Sequence, residues 1–220
     1  MDSSDSILTP LQRDFLRAFF SERPAFFLTG GTALAEFYLR HRRSEDLDLF
    51  TTDDAAFGVV ASLVEKAARS LNATVRWIRT GPQFRRALAS RESETVLVDL
   101  VRDIDQQIIA SKPTRKGIRV DSIEDITANK LCALLGRQEV KDVIDLYFLE
   151  RRGIDLVASI APAARKDAGM NAAILSQICA AMCLPEIPGI LLQPVGRETL
   201  EAFLRDLSRR LARAAFPGSP

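Results

Sequence analysis

Residues 26–50 read FFLTGGTALAEFYLRHRRSEDLDLF: an apolar run, two glycines, a helix-length stretch and an alternating Asp-x-Asp segment. That order commits the chain to strand, tight turn, helix and strand. Residues 25–29 are short and apolar, as a buried strand is. Gly30 and Gly31 permit a tight turn and let an anion approach the backbone, where the first N–H groups of a helix favour negative charge. The helix is expected over 32–42 and the second strand over 47–50. On that strand a period of two sends Asp46 and Asp48 to one face and Leu47 and Leu49 to the other. If the helix packs back across the sheet, Thr29 and Asp48 lie side by side and the turn shares a cleft with the carboxylates. Each half also has a plainer reading, as a simple strand-to-helix turn and as the wet face of a half-buried strand.

The flanking sequence extends this start. Thr9 and Pro10 open an amphipathic helix with apolar residues at 11, 15, 16, 19 and 20. Asp53 and Asp54 offer a cap for a helix over 55–71. The period then changes: 73–80, 83–89 and 95–101 are strand-like, split by Gly81-Pro82 and by the polar SRESE. The first half thus reads as a βαβ start with an antiparallel extension. From residue 121 the chain looks helical, with a break near Gly136, helical stretches over 155–169 and 171–184, prolines at 185, 188 and 194, and a final amphipathic helix over 198–216. The expected organisation is an α/β domain over 1–120 and a helical domain over 121–220.

A chain of 220 residues, 47% hydrophobic, can bury a real core. Its net charge of +1 gives no global pull toward nucleic acid or membrane, so such a partner must be met by a local patch. The N-terminal MDSSDSILTPLQ has neither a basic nor an apolar leader region, and no run reaches membrane-spanning length, so a cytoplasmic location without membrane contact is expected. Cys132, Cys179 and Cys183 are read as buried small hydrophobes in a reducing compartment rather than as metal ligands.

The third carboxylate raises the stakes of Asp-x-Asp. TVLVDLV is apolar except for Asp99 at its centre. An ionised carboxylate buried in a strand costs several kcal/mol unless it is paired or bound to a cation. Three carboxylates on neighbouring strands make a hard oxygen cage suited to Mg²⁺. Two such ions about 3.5–4 Å apart could activate a hydroxyl and stabilise a leaving oxygen. Downstream, Lys130, Arg137 and Lys141 fall at i, i+7 and i+11, on one face of a continuous helix or around a helix corner if Gly136 breaks it. Such cations suit a triphosphate, although a snorkelling surface face has the same spacing. Asp142 and Asp145 are read either as site residues or as structural partners of Lys141 and Arg151.

GGTALAEFYLRHRRSEDLDLF together with ITANKLCALLGRQEVKDVIDLYFL resembles the AbiEii/AbiGii toxin family of the polymerase-β-like nucleotidyltransferase superfamily, over roughly residues 26–150. The resemblance implies an α+β fold, with a small mixed sheet of the nucleotidyltransferase type flanked by helices and followed by a helical C-terminal half. It implies that Gly30, Gly31 and Thr32 hold nucleotide phosphates and that Asp46 and Asp48 bind metal. Lys130 would contact the triphosphate, and Asp142 or Asp145 would complete the site from the helical half. Asp99 matches the wider superfamily's acid on a neighbouring strand. Ser44 is placed on the strand face of Asp46, supporting the turn, and Arg137 joins the nucleotide-binding set. The implied reaction moves an NMP from an NTP to an acceptor hydroxyl, with Mg²⁺, two ions, as cofactor. The acceptor would be RNA, tRNA among the candidates, and the partner a cognate antitoxin. A small-molecule nucleotidyltransferase and a non-catalytic protein with a degenerate site are the competing readings.

Three further features stand apart. His41, at the basic end of the helix expected over 32–42, reads as a surface cap, and Arg40, Arg42 and Arg43 as an RNA-tracking group or partners for Glu45. RWIRTGPQFRRALASR interleaves five arginines with Trp77 and Phe84, as a single-stranded nucleic-acid surface does. A charged, exposed hairpin face looks the same, and that is the preferred reading. The stripe at 200, 203, 204, 207 and 211 reads as a docked core helix, with a partner-binding helix as the alternative.

Overall fold

The computed structural model describes residues 6–104 and 106–216. The first five residues, part of the stretch read as carrying no leader, lie outside the described residues. The chain divides into two compact units. One holds the chain through Ile104 together with Ser111–Ser122, and the other holds the stretch ending at Ala110 and the chain from Ile123 onward.

The first unit opens with α1 (Pro10–Ser21). The Thr9 hydroxyl accepts the Gln12 N–H at 3.2 Å and Gln12 Oε1 accepts the Thr9 N–H at 3.0 Å, a reciprocal cap. Its buried apolar face is Leu11, Phe15, Leu16, Phe19 and Phe20, as the spacing predicts. Strand β1 (Phe27–Thr29) runs straight into α2 (Gly30–Leu34), which widens into a π-helical segment, Ala35–Leu39. The helix therefore covers 30–39 rather than 32–42. It stops where Arg40 turns left-handed (φ 52°) and returns its N–H to the Ala35 carbonyl at 2.9 Å.

Strand β2 (Asp46–Thr51) follows, then α3 (Asp54–Ser70), capped by the Asp53 carboxylate on the Ala56 N–H at 2.9 Å. Strands β3 (Thr74–Thr80), β4 (Phe84–Arg91) and β5 (Glu94–Arg102) form an antiparallel meander. The sheet order is β1-β2-β5-β4-β3, with β5 parallel to β2. One expectation needs correcting: β1 and β2 are antiparallel, not the parallel pair of a βαβ unit. The helix leads out from one end of the sheet and residues 40–45 come back to that same end, so β2 must run opposite to β1.

The two sheet faces are chemically distinct. Leu28, Leu47, Leu49, Val96, Val98 and Leu100 alternate onto the face covered by α1 and α3 and are buried. Each contributes about 1.5–3 kcal/mol by leaving water. The other face carries Asp46, Asp48 and Asp99. A hairpin absent from the sequence reading, β6 (Thr114–Arg115) and β7 (Ile118–Arg119), turns on Lys116 and Gly117, both left-handed. The residues after it run beside β1: Val120 bridges Leu28 in parallel, and the Asp121 N–H reaches the Leu28 carbonyl at 2.8 Å.

The second unit consists of α4 (Ile123–Gly136), α5 (Val140–Arg151), α6 (Ile160–Ala164), α7 (Ala172–Ala181) and α8 (Arg197–Ala215). The break near Gly136 is where the sequence puts it. The stretch 155–169 yields only the five residues of α6, because the Asp155 carboxylate turns the chain by accepting the Val157 and Ala158 N–H groups at 2.9 and 3.0 Å. Helices α7 and α8 pack together, with the Ser176 and Ser208 hydroxyls each donating to the other's carbonyl at 2.9 Å. The stripe Leu200, Phe203, Leu204, Leu207 and Leu211 is buried, so α8 is a core helix. Cys179 is buried, and burial pushes its thiol up to about 11. Cys183 departs from expectation: α7 ends at Ala181, and the residue beyond it is exposed.

Candidate active site

Register assembles the acid-bearing face. Thr29 is the partner of Asp48 across β1 and β2, and Asp48 is the partner of Asp99 across β2 and β5. Asp99 in turn is the partner of Arg86 on β4. Side chains of directly paired residues share a face, so these four stand in one row across the sheet. The row extends past β1, because the Thr29 hydroxyl donates to the Asp121 carboxylate at 2.6 Å. Asp121 is buried with Lys112, whose ammonium is 2.7 Å from it and sits 4.9 Å from the Phe27 ring centre. The sequence reading missed both residues; Lys116-Gly117, a turn signal between strand-forming residues, marks the hairpin that brings them here.

The glycine turn meets the carboxylates. Gly30 has φ +68°, and a Cβ there would fall 2.0 Å from Asp48 Oδ2. Only a residue without a side chain lets the carboxylate lie against this backbone. A Cβ on Gly31 would fall 2.5 Å from the Arg42 guanidinium and 3.1 Å from the Ser44 hydroxyl. Ser44 therefore borders the turn as expected, although it precedes β2 rather than lying on it. The Thr32 hydroxyl donates to the Asp46 carbonyl, tying the helix to the start of β2.

His41 and Arg42 correct the reading of LRHRRSED. Both are buried, because the turn at Arg40 reverses the chain and carries them inward. His41 is no surface cap, and Arg42 donates to the Arg43 carbonyl at 2.9 Å rather than lining an outer face.

Asp99 has the partner its burial demands. Arg86 donates through Nε to Oδ1 and through a terminal nitrogen to Oδ2, both at 2.6 Å. Hydrogen bonding to Asp99 holds the guanidinium above its ordinary value against the opposing effect of burial, with the charges of Asp99, Asp46 and Asp48 adding to it. Among the described residues no group of three or more His, Cys, Asp or Glu side chains is arranged to hold a metal ion. Asp46 and Asp48 still offer hard oxygen donors on one strand face, which suits Mg²⁺, an ion commonly held by one or two carboxylates plus substrate phosphates.

The five hairpin arginines divide between the faces. Arg85 lies over the Phe57 ring of α3 at 4.9 Å, and Arg91 pairs with Asp14 of α1 at 2.9 Å. Trp77 also points to α3, where its Nε1 meets Glu65 at 3.3 Å, so it is not part of an exposed aromatic strip. Arg76, Arg79 and Arg86 share the acid-bearing face by register. Arg79 and Arg86 sit over the Phe84 ring at 5.4 and 5.6 Å.

The downstream block forms a second cluster, inside the helical unit. Lys130 Nζ lies 2.8 Å from Asp142 and 2.7 Å from Asp145. Arg137 grips Asp142 with two hydrogen bonds, at 2.8 and 2.9 Å. The corner after Gly136 makes this possible by folding α5 back against α4. Burial pushes the Asp142 carboxyl up, but Arg137 and Lys130 together outweigh it and hold the group below its ordinary value. The partners of Asp142 are thus Lys130 and Arg137, while Lys141 pairs with Glu139 at 3.6 Å.

A glycine turn seated on Asp-x-Asp in a small mixed sheet is the framework of a nucleotidyltransferase, and sequence comparison agrees. Residues 14–217 match the model of the family described as nucleotidyl transferase AbiEii toxin, type IV toxin–antitoxin system, and the chain belongs to that family. The match runs well past residue 150, where recognisable motifs end. No curated protein matches the chain in sequence. Among solved structures the fold is similar to MenT4, a nucleotidyltransferase toxin from Mycobacterium tuberculosis H37Rv, with 20% identity, 92% of this chain and 82% of that one covered and a TM-score of 0.64. It is also similar to JHP933 from Helicobacter pylori, at 19% identity, 93% and 90% coverage and a TM-score of 0.60. The chain is a nucleotidyl-transfer enzyme of a toxin family.

Proposed function

We propose that this enzyme moves a nucleoside monophosphate from an NTP to a hydroxyl of an RNA acceptor, tRNA among the candidates, with Mg²⁺ as cofactor. The observation that carries this reading is the seating of Asp48 against Gly30, which puts a carboxylate at the turn where a phosphate can approach backbone N–H groups. Gly30 and Gly31 leave room for the phosphates, Thr32 ties the turn to β2, and Ser44 borders the turn. Asp46 and Asp48 would hold the divalent cation, which when bound would neutralise triphosphate charge and stabilise the leaving pyrophosphate. In the helical unit, Lys130 and Arg137 are assigned as cations for the phosphates, and Asp142 and Asp145 as the carboxylates that fix them. The RNA assignment rests on Arg76 and Arg79, exposed on edge strand β3, whose charges suit a nucleic-acid backbone. A cytoplasmic location and restraint by a cognate antitoxin complete the reading. No helix among the described residues is long and apolar enough to cross a membrane.

The test is incubation with each labelled NTP, Mg²⁺ and total RNA, for the native chain and for Asp48→Asn. Label on RNA is expected from the native chain and none from the variant. Label on small acceptors instead of RNA would move the assignment to a small-molecule nucleotidyltransferase.

A further inference from the structure

Arg86 is an unexpected neighbour for a metal-binding row. It occupies the β4 position level with Asp99, and both oxygens of that carboxylate accept its N–H groups at 2.6 Å. A guanidinium has five N–H donors in a fixed fork, so three remain beyond this bidentate pair. The Arg86 side chain is 40% exposed while the Asp99 side chain is only 10% exposed. The carboxylate is therefore enclosed and occupied, and the cation it holds is accessible. A metal ion seated on Asp99 would have to displace two short charge-assisted bonds and sit beside a fixed positive charge.

We propose that Arg86, clamped by Asp99, is a resident cation of this active site that contacts nucleotide phosphate, and that the metal site consequently takes one divalent ion on Asp46 and Asp48, not two. This rests on the nucleotidyl-transfer reading above and deepens it. Asp99 acts as a positioning residue: it fixes the guanidinium in its plane and register and gives no ligand to metal. The free N–H groups suit phosphate oxygens, which a planar fork binds with directional specificity.

The test uses the full chain with Mn²⁺ as probe, free ion being counted by electron paramagnetic resonance, and with a non-hydrolysable NTP analogue in a separate binding titration. The native chain is expected to bind one Mn²⁺, Asp99→Asn also one, and Asp48→Asn none. Arg86→Gln should bind Mn²⁺ several-fold more tightly, because a repelling charge is gone, yet bind the analogue about tenfold more weakly. A merely structural role for Arg86 would weaken both. Two ions on the native chain with one lost in Asp99→Asn would overturn the proposal while leaving the nucleotidyl-transfer reading intact. So would one ion lost in Asp99→Asn, or analogue binding unchanged in Arg86→Gln. Absence of Mn²⁺ and analogue binding on the native chain would overturn both. A native count of two ions would overturn the one-ion site even if a variant fails to fold.

Discussion

Gly30 and Lys130 show how single residues hold their surroundings, and each makes a definite prediction. At Gly30 a methyl group has nowhere to go, since its place lies 2.0 Å from Asp48 Oδ2 and the backbone is left-handed. Gly30→Ala should cost about 1–3 kcal/mol of stability through backbone strain. By pushing Asp48 aside it should slow transfer by about 100-fold. Urea titration and initial-rate kinetics measure the two effects, and a variant with native kinetics would show that Asp48 tolerates displacement. Lys130 neutralises two fully buried carboxylates. Lys130→Met should therefore lower the stability of the helical unit by about 3–5 kcal/mol, read from the urea midpoint of its helical circular dichroism.

At the scale of elements, the corner between α4 and α5 exists to bring Lys130 and Arg137 onto Asp142, and this gives it a pH signature. The Asp142 carboxyl is held below its ordinary value of 3.8 in the folded protein. Its contribution is accordingly complete above that value and is lost as pH falls through the lower, folded one. The urea midpoint should decline below about pH 4, and less steeply in Asp142→Asn, which has no proton to take up there. The same corner shows what was legible in sequence. The Gly136 break, the cations and both aspartates can all be read in a linear chain. Which cation meets which carboxylate depends on the angle at which α5 folds back, so Lys141 and Arg151 were plausible partners until that angle was known.

For the whole molecule, the proposed site predicts linkage between ligand and stability. A ligand that binds only the folded state at 100 times its Kd adds about 2.7 kcal/mol. Mg²⁺ with a non-hydrolysable NTP analogue should therefore raise the melting temperature of the native chain, and leave Asp48→Asn unmoved in a thermal-shift titration. The chain also crosses between its units more than once: it visits the helical unit at 106–110, where the Ile108 and Ile109 N–H groups reach Asp125 at 2.9 Å, before returning to pair beside β1. The sequence by itself determined the five strands of the main sheet, the amphipathic helices, the glycine turn and the single face shared by Asp46 and Asp48, because these follow from local period and steric freedom. Only tertiary structure decided that β1 runs against β2, that Arg86 answers Asp99, and that Asp121 joins the row beside Thr29. Those facts depend on strand order and register, which bring together residues 13 to 92 positions apart, and no local pattern encodes such pairings.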